Sequence, residues 1–316
     1  MKAATAAAAP AVRTGRRRNR HWLVRYWDLY LMMVPALLFL VVFKYAPMYG
    51  VVIAFKDYNL IQGVFGSRWV GLQYFRELFA FDEFPQVIRN TLAISLMKLI
   101  VGFPAPIVLA LLLNELRLNK FKRSVQTVTY LPHFISWVVI GGIAVDVLSP
   151  SSGIVNKAIQ AFGFEPIFFL SSEKLFRWIL VFSDTWKEVG WGAIIYLAAL
   201  LGINDELFQA ATVDGAGRMR QIWHISLPSI RSTIIVLLLL RIGHLLDAGF
   251  EQVLVMYNTT VYDVADIIDT YVFRVGLGTM QFGLTTAAGL FKSVIGCVLL
   301  VLANTLARRM GEDGVY

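Results

Sequence analysis

The sequence predicts an all-α membrane protein with six transmembrane helices, and two observations support this. Of its 316 residues, 57% are hydrophobic and only 16% are charged, and the mean hydropathy is +0.63. A soluble domain carries about 25% charged residues, so an ordinary core with a hydrated surface does not account for this composition. In addition, apolar runs long enough to cross about 30 Å of hydrocarbon recur along the chain.

These apolar runs define the predicted spans. They cover residues 29–55, 87–113, 125–148, 175–201, 229–257 and 284–307. Lys44 and Pro47 interrupt the first span, so we expect its outer end to be irregular. The fourth contains the polar residues 183–188 and is the least typical of a helix that faces lipid. The single cysteine, Cys297, excludes an internal disulfide and is expected to be buried in the sixth span.

The distribution of lysine and arginine predicts the orientation of the spans. Basic residues concentrate before the first span, in the connections after the second and fourth spans, and after the sixth: Arg13, Arg16, Arg17, Arg18, Arg20, Arg25, Arg117, Lys120, Lys122, Arg123, Arg218, Arg220, Arg308 and Arg309. The other connections are balanced or acidic and contain Asp57, Glu77, Asp82, Glu83, Glu251, Asp263, Asp266 and Asp269. Because short cytoplasmic loops are enriched in lysine and arginine, both termini are predicted to be cytoplasmic.

The predicted organisation has four parts. These are a basic cytoplasmic tail at 1–28, the first span and an extracytoplasmic loop at 29–86, a core at 87–309 that includes the cytoplasmic connection 202–228, and a short cytoplasmic tail at 310–316. The N-terminal tail is expected to be disordered until it meets a partner or lipid. It does not resemble a cleavable signal peptide, because its alanine-rich stretch precedes the basic run. A basic run can bind nucleic acid, but its position directly before an apolar span favours the membrane surface, so no nucleic-acid partner is expected.

The connection 202–228 has the composition of folded structure and not of a solvated linker. Asn204-Asp205-Glu206 is able to cap a helix that continues through Ala211. Residues 214–217, Asp-Gly-Ala-Gly, then break this helix, and a second short helix leads to residues 227–228, Leu-Pro. Two short amphipathic helices at a glycine turn form a compact knob that suits docking into a cleft on another protein. Two helices lying on lipid headgroups are the alternative.

The spacing within this connection favours docking. Gln-Ala-Ala at 209–211, Gly215, Ile225 and Leu-Pro at 227–228 stand at the offsets of the EAA loop, with Asp214 and Ala216 in its extended form. The chain therefore resembles the permease subunits of bacterial binding-protein-dependent ABC importers. The resemblance implies that a separate ATPase is contacted by Glu206, Gln209, Ala210, Ala211, Asp214, Gly215, Ala216, Ile225, Leu227 and Pro228.

One position departs from the family pattern. The family usually has glutamate where this chain has Gln209. An amide still forms hydrogen bonds, but a charge-assisted hydrogen bond is about twice as strong. We therefore expect the docking knob to be kept and its electrostatic contact with the ATPase to be weaker.

Other segments resemble the same family. Residues 69–75 and 89–92 are similar to the entry of a permease core. Residues 130–137 and 269–276 are similar to the maltose-importer-type branch, which takes up oligosaccharides and polysaccharide fragments. The resemblance implies a type I importer (MetI-like) permease core in the bacterial cytoplasmic (inner) membrane, in contact with membrane lipid. It also implies a homologous second permease subunit, two ABC ATPase subunits, an extracytoplasmic solute-binding protein and a sugar substrate, although another solute class stays open.

No nucleotide or metal chemistry is predicted in this chain. The sequence contains no G-x-x-x-x-G-K-[ST] loop to bind phosphates and no H-E-x-x-H. The histidines are not spaced as metal ligands and are His21, His133, His224 and His244. We therefore expect no catalytic residue, no metal-binding residue and no cofactor here, with ATP and Mg²⁺ bound by the partner ATPase.

Ionisable residues inside the predicted spans suggest a hydrated path, because such residues are costly in lipid. The candidates for a translocation path are Lys98, Asp184, Trp186, Glu188, Arg241, His244, Asp247 and Lys292. Trp186 and Trp191 are available to stack on sugar rings. The alternative is that these charges neutralise one another and hold the helices together, for example Asp184 with Lys187 or Arg241 with Asp247.

The cations in this set suggest a hypothesis about the cargo. Lys98, Arg241 and Lys292 are an apparent surplus of positive charge within the spans, which favours an acidic sugar such as an alginate or other uronate oligomer.

Alternating access is the mechanism that the resemblance implies. Nucleotide-driven closure of the ATPases would move the knob at 202–228 as a lever and open the path outward. Gly215→Asp is expected to uncouple transport, because a side chain would intrude where the turn packs closely. The rival classes are a secondary transporter, which usually shows internal repeats and an ion-coupling site, and a membrane enzyme with a clustered catalytic site. Neither feature is visible in the sequence.

Overall fold

The computed structural model describes residues 26–309 of the chain. The chain divides into two compact units, Met1–Val51 and Val52–Tyr316. Most of the predicted N-terminal tail and all of the predicted C-terminal tail, residues 310–316, lie outside the described residues.

Helices account for most of the described residues. The longer helices are α1 (Trp27–Leu40), α2 (Gln73–Ala80), α3 (Glu83–Gly102), α4 (Pro104–Glu115), α5 (Asn119–Tyr130), α6 (Trp137–Leu148), α7 (Ile154–Ala161), α8 (Glu173–Leu201), α9 (Asp205–Val213), α10 (Arg231–Gly243), α11 (Phe250–Met256), α12 (Ile268–Gly278) and α13 (Phe282–Arg309). Shorter helical turns are Val41–Tyr45, Ala46–Met48, Tyr49–Phe55, Gly63–Gly66, Leu131–Phe134, Phe169–Ser171, Arg218–Gln221, Ile222–Ser226, Leu227–Ser229, Thr259–Val261 and Tyr262–Ala265. Two short strands, β1 (Lys56–Asp57) and β2 (Arg68–Trp69), pair antiparallel. The predicted helical class is confirmed, apart from this small hairpin.

The first predicted span is a long apolar helix with an irregular C-terminal end. After α1 the chain continues as a π-helical turn, Val41–Tyr45, and later as a 3₁₀ stretch, Tyr49–Phe55. Pro47 has no backbone N–H, so the carbonyl of Phe43 cannot receive the usual α-helical hydrogen bond. The predicted irregularity is confirmed, and Trp27–Phe55 is long and apolar enough to cross a membrane.

The second and sixth predicted spans are also long apolar helices. Glu83–Glu115, which contains α3 and α4, and Phe282–Arg309, which is α13, are each long and apolar enough to cross a membrane. Phe103 joins α3 to α4 with helical dihedral angles (φ −75°, ψ −44°). Pro104, which cannot donate a backbone hydrogen bond, marks this joint.

The third predicted span, residues 125–148, is wrong as a single helix. α5 ends at Tyr130, Leu131–Phe134 is 3₁₀-helical, and the chain turns by 103° before α6. Pro132 interrupts the helical hydrogen bonds at this point. Ser136 then starts α6, because its Oγ accepts a hydrogen bond from the Val139 N–H (3.4 Å).

The fourth predicted span lies inside α8, which is continuous over 29 residues in spite of its polar stretch. α8 is a central element of the second unit, because it packs along α3, α4 and α5. Phe176 and Ala193 are fully buried on it. Gly190 allows close approach to α5, since a Cβ added there would overlap the backbone of Thr129. The helix therefore contacts partners on several sides, which gives polar groups on it neighbours other than lipid.

The fifth predicted span, residues 229–257, is also wrong as a single helix. α10 ends at Gly243 and α11 begins at Phe250. We call residues 244–249 the helix break. Gly249 has φ +96°, a conformation that residues with a Cβ disfavour, and an added Cβ would lie 2.7 Å from the Lys98 Nζ. A close approach of Lys98 to the backbone therefore accompanies the break.

The prediction that Cys297 is buried is wrong, because Cys297 is exposed on α13. α13 buries small residues such as Ala288 and Ala303 against the protein. In a membrane the lipid is as apolar as a protein core, so an apolar run does not specify which side of the helix is buried.

Candidate functional site

Residues 202–228 fold into two short helices that meet at a turn, and we call this segment the elbow. The Asn204 Oδ1 accepts a hydrogen bond from the Glu206 N–H (3.0 Å), which confirms the predicted cap of α9. α9 ends with two hydrogen bonds typical of a Schellman motif, from the Ala216 N–H to the Ala211 carbonyl (2.8 Å) and from the Gly215 N–H to the Thr212 carbonyl (3.1 Å). The first arm of the elbow is therefore closed at both ends by local hydrogen bonds.

Glycine is required at position 215 by the backbone dihedral angle and not by close packing of neighbouring atoms. Its φ is +75°, in the left-handed region that favours glycine. A Cβ added at Gly215 would have no described heavy atom within 4 Å. The expectation that a side chain would intrude on a closely packed turn is thus wrong within this chain, and the cost of a substitution arises from the dihedral angle.

The second arm runs from Arg218 through a π-helical turn, Ile222–Ser226, to Leu227–Ser229. The Gln221 Nε2 donates hydrogen bonds to the Thr212 Oγ1 (3.0 Å) and to the Ala216 carbonyl (3.1 Å). These two bonds join the arms across the turn. The elbow is a folded unit with a defined shape.

The elbow presents an apolar surface. Gln209 and Ala210 of the predicted signature are exposed, whereas Ile225 and Leu227 are half-buried. Val213 is 88% exposed. The other exposed large apolar side chains of the elbow are Leu207, Met219 and Trp223. Sequence reasoning did not assign these side chains to the contact surface, because burial within the chain cannot be read from helical spacing alone.

The elbow is attached to the helices that carry the spans. Ile230, directly after the elbow, is buried against Ala110 and Leu113 of α4 and against Tyr196 of α8. At the surface, the Arg218 Nη1 lies 3.7 Å from a carboxylate oxygen of Glu115, at the end of α4. A displacement of the elbow would therefore act directly on α4 and α8.

A buried cluster of polar side chains binds the backbone of the helix break. Lys98 is only 3% exposed, and its ammonium donates hydrogen bonds to the Asp184 Oδ1 (3.1 Å), the Ala248 carbonyl (2.8 Å) and the Gln252 Oε1 (2.5 Å). The Gln252 Nε2 donates in turn to the Leu180 carbonyl (2.8 Å). We call Lys98, Asp184, Ala248 and Gln252 the latch. The latch ties α3 and α8 to the helix break and to α11.

Arg241 lies beside the latch. Its Nη2 is 3.7 Å from the Asp184 Oδ2, and its side chain is 49% exposed. Within residues 26–309 its guanidinium makes this ion pair and no hydrogen bond. Arg241 thus keeps its donors available on the exposed side.

A second polar group surrounds Lys292 on α13. The Lys292 Nζ lies 2.7 Å from the Asp247 Oδ1 and 2.8 Å from the Asp269 Oδ1. The His244 Nδ1 lies 3.2 Å from the Asp247 Oδ2. Lys292, Asp247 and Asp269, but not His244, border a cavity of about 640 Å³. Its other walls are mainly apolar and aromatic side chains of α12 and α13, with the hydroxyl-bearing Thr285 among them. A cavity of this size and character suits a small organic ligand.

A third polar group lies at the bend before α6. The His133 Nδ1 is 2.9 Å from the Glu188 Oε2, and the Trp191 ring stacks on the His133 ring with centroids 4.5 Å apart. The Lys187 ammonium donates to the carbonyls of His133 and Ile135. Glu188 and its neighbours on α8 therefore hold the bend of the third predicted span.

The predicted ion pairs of the neutralisation alternative are wrong, although charges do pair. Asp184 pairs with Lys98 and Arg241 and not with Lys187. Asp247 pairs with Lys292 and not with Arg241. The reason is geometric, because the partners come from different helices and not from neighbouring turns of the same one.

The predicted surplus of cations is not found. Lys98 and Arg241 share Asp184. Lys292 has two carboxylates, Asp247 and Asp269. Three cations thus face three carboxylates, so charge balance within this chain does not by itself favour an acidic cargo.

Trp186 is not brought together with the other predicted path residues. At 100° per residue it lies about 160° around α8 from both Asp184 and Glu188, which share one face. Trp191, in contrast, joins that face through its stacking on His133.

Sequence reasoning missed Gln252 as a member of the latch, because the search was for charged residues and Gln252 lacks a charge.

Asp269 and Arg274, in the segment 269–276, also have partners that sequence reasoning did not assign. Arg274 lies 2.8 Å from Glu83 and 2.6 Å from Asp266. Burial would lower the pKa of Arg274, but its hydrogen bonds to these two carboxylates outweigh burial and raise the pKa above its usual range. α12 is therefore fixed to the start of α3 by a permanently charged group.

Long apolar helices, a helix break beside the buried Lys98–Asp184 ion pair and an elbow with exposed apolar side chains are together typical of an integral membrane transport protein. The chain belongs to the family of binding-protein-dependent transport system inner membrane components, whose model matches residues 102–312. It is an ABC permease, and the permease fold implied by the signature spacing is confirmed.

Two relatives from Bacillus subtilis (strain 168) match nearly all of the chain. It is 46% identical to the polygalacturonan/rhamnogalacturonan transport system permease protein YteP over 322 residues, with 100% of each chain covered. It is 48% identical to the protein LplB over 288 residues, with 91% of each chain covered. A solved structure, of a bacterial alginate ABC transporter in complex with an alginate pentasaccharide-bound periplasmic protein, contains a chain that is 42% identical and matches with a TM-score of 0.86, covering 93% of this chain and 98% of that one.

Proposed function

We propose that this chain is one of two homologous permease subunits of an ATP-driven importer of acidic oligosaccharides or polysaccharide fragments. In this proposal it lies in the bacterial cytoplasmic membrane with both termini in the cytoplasm, as the distribution of lysine and arginine favours. A solute-binding protein delivers the sugar from outside, and two separate ATPase subunits bind ATP and Mg²⁺.

The elbow is the observation that carries this proposal. It has the signature spacing of a permease that docks on an ATPase, it is folded by its own hydrogen bonds, and it leaves Val213 and Trp223 uncovered by the rest of this chain. Exposed apolar side chains on a rigid segment are typical of a protein interface. Its attachment to α4 and α8 through Ile230 gives a direct mechanical route from the ATPase to the spans.

The proposed mechanism is alternating access. ATP-driven closure of the ATPase pair moves the elbows, and the attached helices rock so that the path opens outward. The helix break and its latch supply a joint at which α10 and α11 are able to change their mutual angle without breaking a continuous helix. Because the coupling is reciprocal, a loaded binding protein should raise ATP turnover.

The acidic cargo is supported by relatives and not by the charge balance of the spans. One relative carries polygalacturonan and rhamnogalacturonan in its name, and a similar solved structure is of an alginate transporter. All three polymers contain uronic acids. Arg241, whose donors face an exposed surface, is the residue of this chain that best suits a carboxylate.

The elbow is tested by a matched pair of substitutions. Co-expressed with its partner subunits, a tagged chain should copurify with an ATPase of separate sequence and the complex should hydrolyse ATP. Val213→Asp should abolish copurification, since it puts a charge into the apolar contact. Ile61→Asp, at another almost fully exposed apolar position (96%), should leave it intact. Equal recovery of the ATPase with both variants would reject the elbow as the docking site.

The substrate is tested in the reconstituted transporter. Trigalacturonate, delivered by the binding protein, should stimulate ATP hydrolysis more than its carboxyl-reduced analogue, which has the same linkages but no charge. Equal stimulation would show that the carboxylates are not recognised and would leave an importer that does not distinguish acidic from neutral oligosaccharides.

A further inference from the structure

The position of Arg241 is unusual for a residue of a membrane-spanning helix. It lies in the last turn of α10, and its side chain is 49% exposed with no hydrogen bond from its guanidinium within the described part of the chain. A guanidinium that faces hydrocarbon is costly by several kcal/mol. Its exposed side therefore faces a hydrated space or a polar partner, where its planar set of donors is free to bind a carboxylate with two parallel hydrogen bonds.

Asp184 connects Arg241 to the latch. One carboxylate oxygen receives the hydrogen bond from Lys98 at 3.1 Å, and the other lies 3.7 Å from the Arg241 Nη2. Asp184 is only 14% exposed, so water screens these interactions weakly. The charge of Arg241 is thus felt by the carboxylate that holds Lys98.

The latch has no spare donor. An ammonium has three N–H groups, and Lys98 uses them on Asp184, on the Ala248 carbonyl and on Gln252. Ala248 lies in the helix break and Gln252 lies on α11. A stronger attraction between Lys98 and Asp184 must therefore weaken its hold on the break or on α11.

From this arrangement we propose that Arg241 recognises a carboxylate of the passing sugar and that Asp184 transmits this event to the latch. A sugar carboxylate that takes Arg241 leaves Lys98 as the main counter-ion of Asp184. Lys98 then moves toward Asp184 and loosens Ala248 and Gln252, so that the helix break changes conformation. Arg241 is thereby a specificity-determining residue, and the joint between α10 and α11 responds to the charge of the cargo. This inference rests on the proposed uptake of acidic sugars.

The test compares three variants in the complete reconstituted transporter. Arg241→Gln removes the charge, Arg241→Lys keeps it without the planar donors, and Arg231→Gln makes the same change at an exposed arginine at the start of α10. The measured quantity is ATPase stimulation by trigalacturonate divided by stimulation by its carboxyl-reduced analogue. We expect this ratio to fall about 10-fold in Arg241→Gln, to fall less in Arg241→Lys, and to be unchanged in Arg231→Gln.

Hydrogen–deuterium exchange tests the transmission step. With trigalacturonate present, exchange of the backbone amides at 244–252 should change in the wild type and in Arg231→Gln but not in Arg241→Gln. A stimulation ratio in Arg241→Gln equal to that of the wild type would overturn the recognition role. A lowered ratio with the same exchange change as the wild type would overturn transmission through Asp184. If trigalacturonate stimulates not even the wild type, the proposed substrate is wrong and the inference is overturned with it.

Discussion

The substitution Lys98→Met measures how much the latch stabilises the broken helix. Methionine keeps an unbranched apolar stem but removes the three hydrogen bonds to Asp184, Ala248 and Gln252. Removing one partner of a buried ion pair costs about 3–5 kcal/mol, because the other charge stays behind without compensation. Arg241 remains 3.7 Å from Asp184, so we expect a value near the lower limit, about 3 kcal/mol. In a domain of 150–250 residues that loss would lower the melting temperature by about 6–12 °C, and in this larger chain we expect a fall of about 6 °C.

The assay is a thermal unfolding curve of the purified transporter in detergent, followed by intrinsic fluorescence. Lys157→Met is the matched control, because Lys157 is exposed on α7. It should change the melting temperature by less than about 2 °C, since surface substitutions usually stay within about 0.5 kcal/mol.

A double substitution separates the charge effect from lost packing. Lys98→Met with Asp184→Leu removes both charges, and replacing a buried ion pair by apolar groups is often neutral. We expect the double variant to be more stable than the sum of the two single changes by about 2 kcal/mol. If the effects simply add, or if Lys98→Met melts together with the Lys157→Met control, then the latch does not hold the helix break and the reasoning is refuted.

Three other substitutions test separate features. Gly215→Ala should cost about 1 kcal/mol, because it places a Cβ in the left-handed region, and should reduce coupled ATP hydrolysis and raise protease cleavage of the elbow. Gly217→Ala is the control, because Gly217 has φ −70° and equally open space, and it should change neither quantity. Equal behaviour of the two variants would contradict the argument from the dihedral angle. Asn156→Ala removes a buried amide whose two N–H donors are shared among the carbonyls of Leu148, Ser149 and Ile167 and whose Oδ1 accepts from the Ile167 N–H. Amide exchange at 162–168 should therefore rise about 10-fold or more, and unchanged exchange would mean that the apolar contacts suffice. Gly190→Ala should lower the melting temperature by several degrees, because the added Cβ forces α5 and α8 apart. Gly142→Ala, with open space around its Cβ, should not. An unchanged melting temperature in Gly190→Ala would show that the close contact between α5 and α8 is not needed for stability.

The broken fifth span shows where sequence reasoning reached its limit. Residues 229–257 are apolar enough to predict one helix, and Gly243 and Gly249 alone do not specify a break. The break is held by Lys98, which binds the Ala248 carbonyl and lies 150 residues before it in the chain. An apolar pattern indicates that a segment prefers lipid. It does not indicate that a distant side chain, here Lys98, will bind a backbone carbonyl of that segment.

The elbow shows the opposite case. Its cap, glycine turn and signature spacing are properties of consecutive residues, and the predicted cap at Asn204 and turn at Gly215 are present. Local hydrogen bonds within a few residues decide this geometry, so the chain order contains the information. The physical reason why Gly215 is needed became visible only from its dihedral angle and the open space around it.

The sequence by itself determined that this protein belongs in a membrane, where most of its apolar segments lie, and that residues 202–228 contain a capped helix followed by a glycine turn. Composition and short-range capping fix these features, because their free energies depend on neighbouring residues and on the surrounding lipid. Tertiary structure alone decided which charges meet, and therefore that Lys98 closes a helix break and that Arg241 keeps free donors. The contacts of Lys98 join residues 86 to 154 positions apart, and no local pattern specifies which of several possible partners will lie within reach.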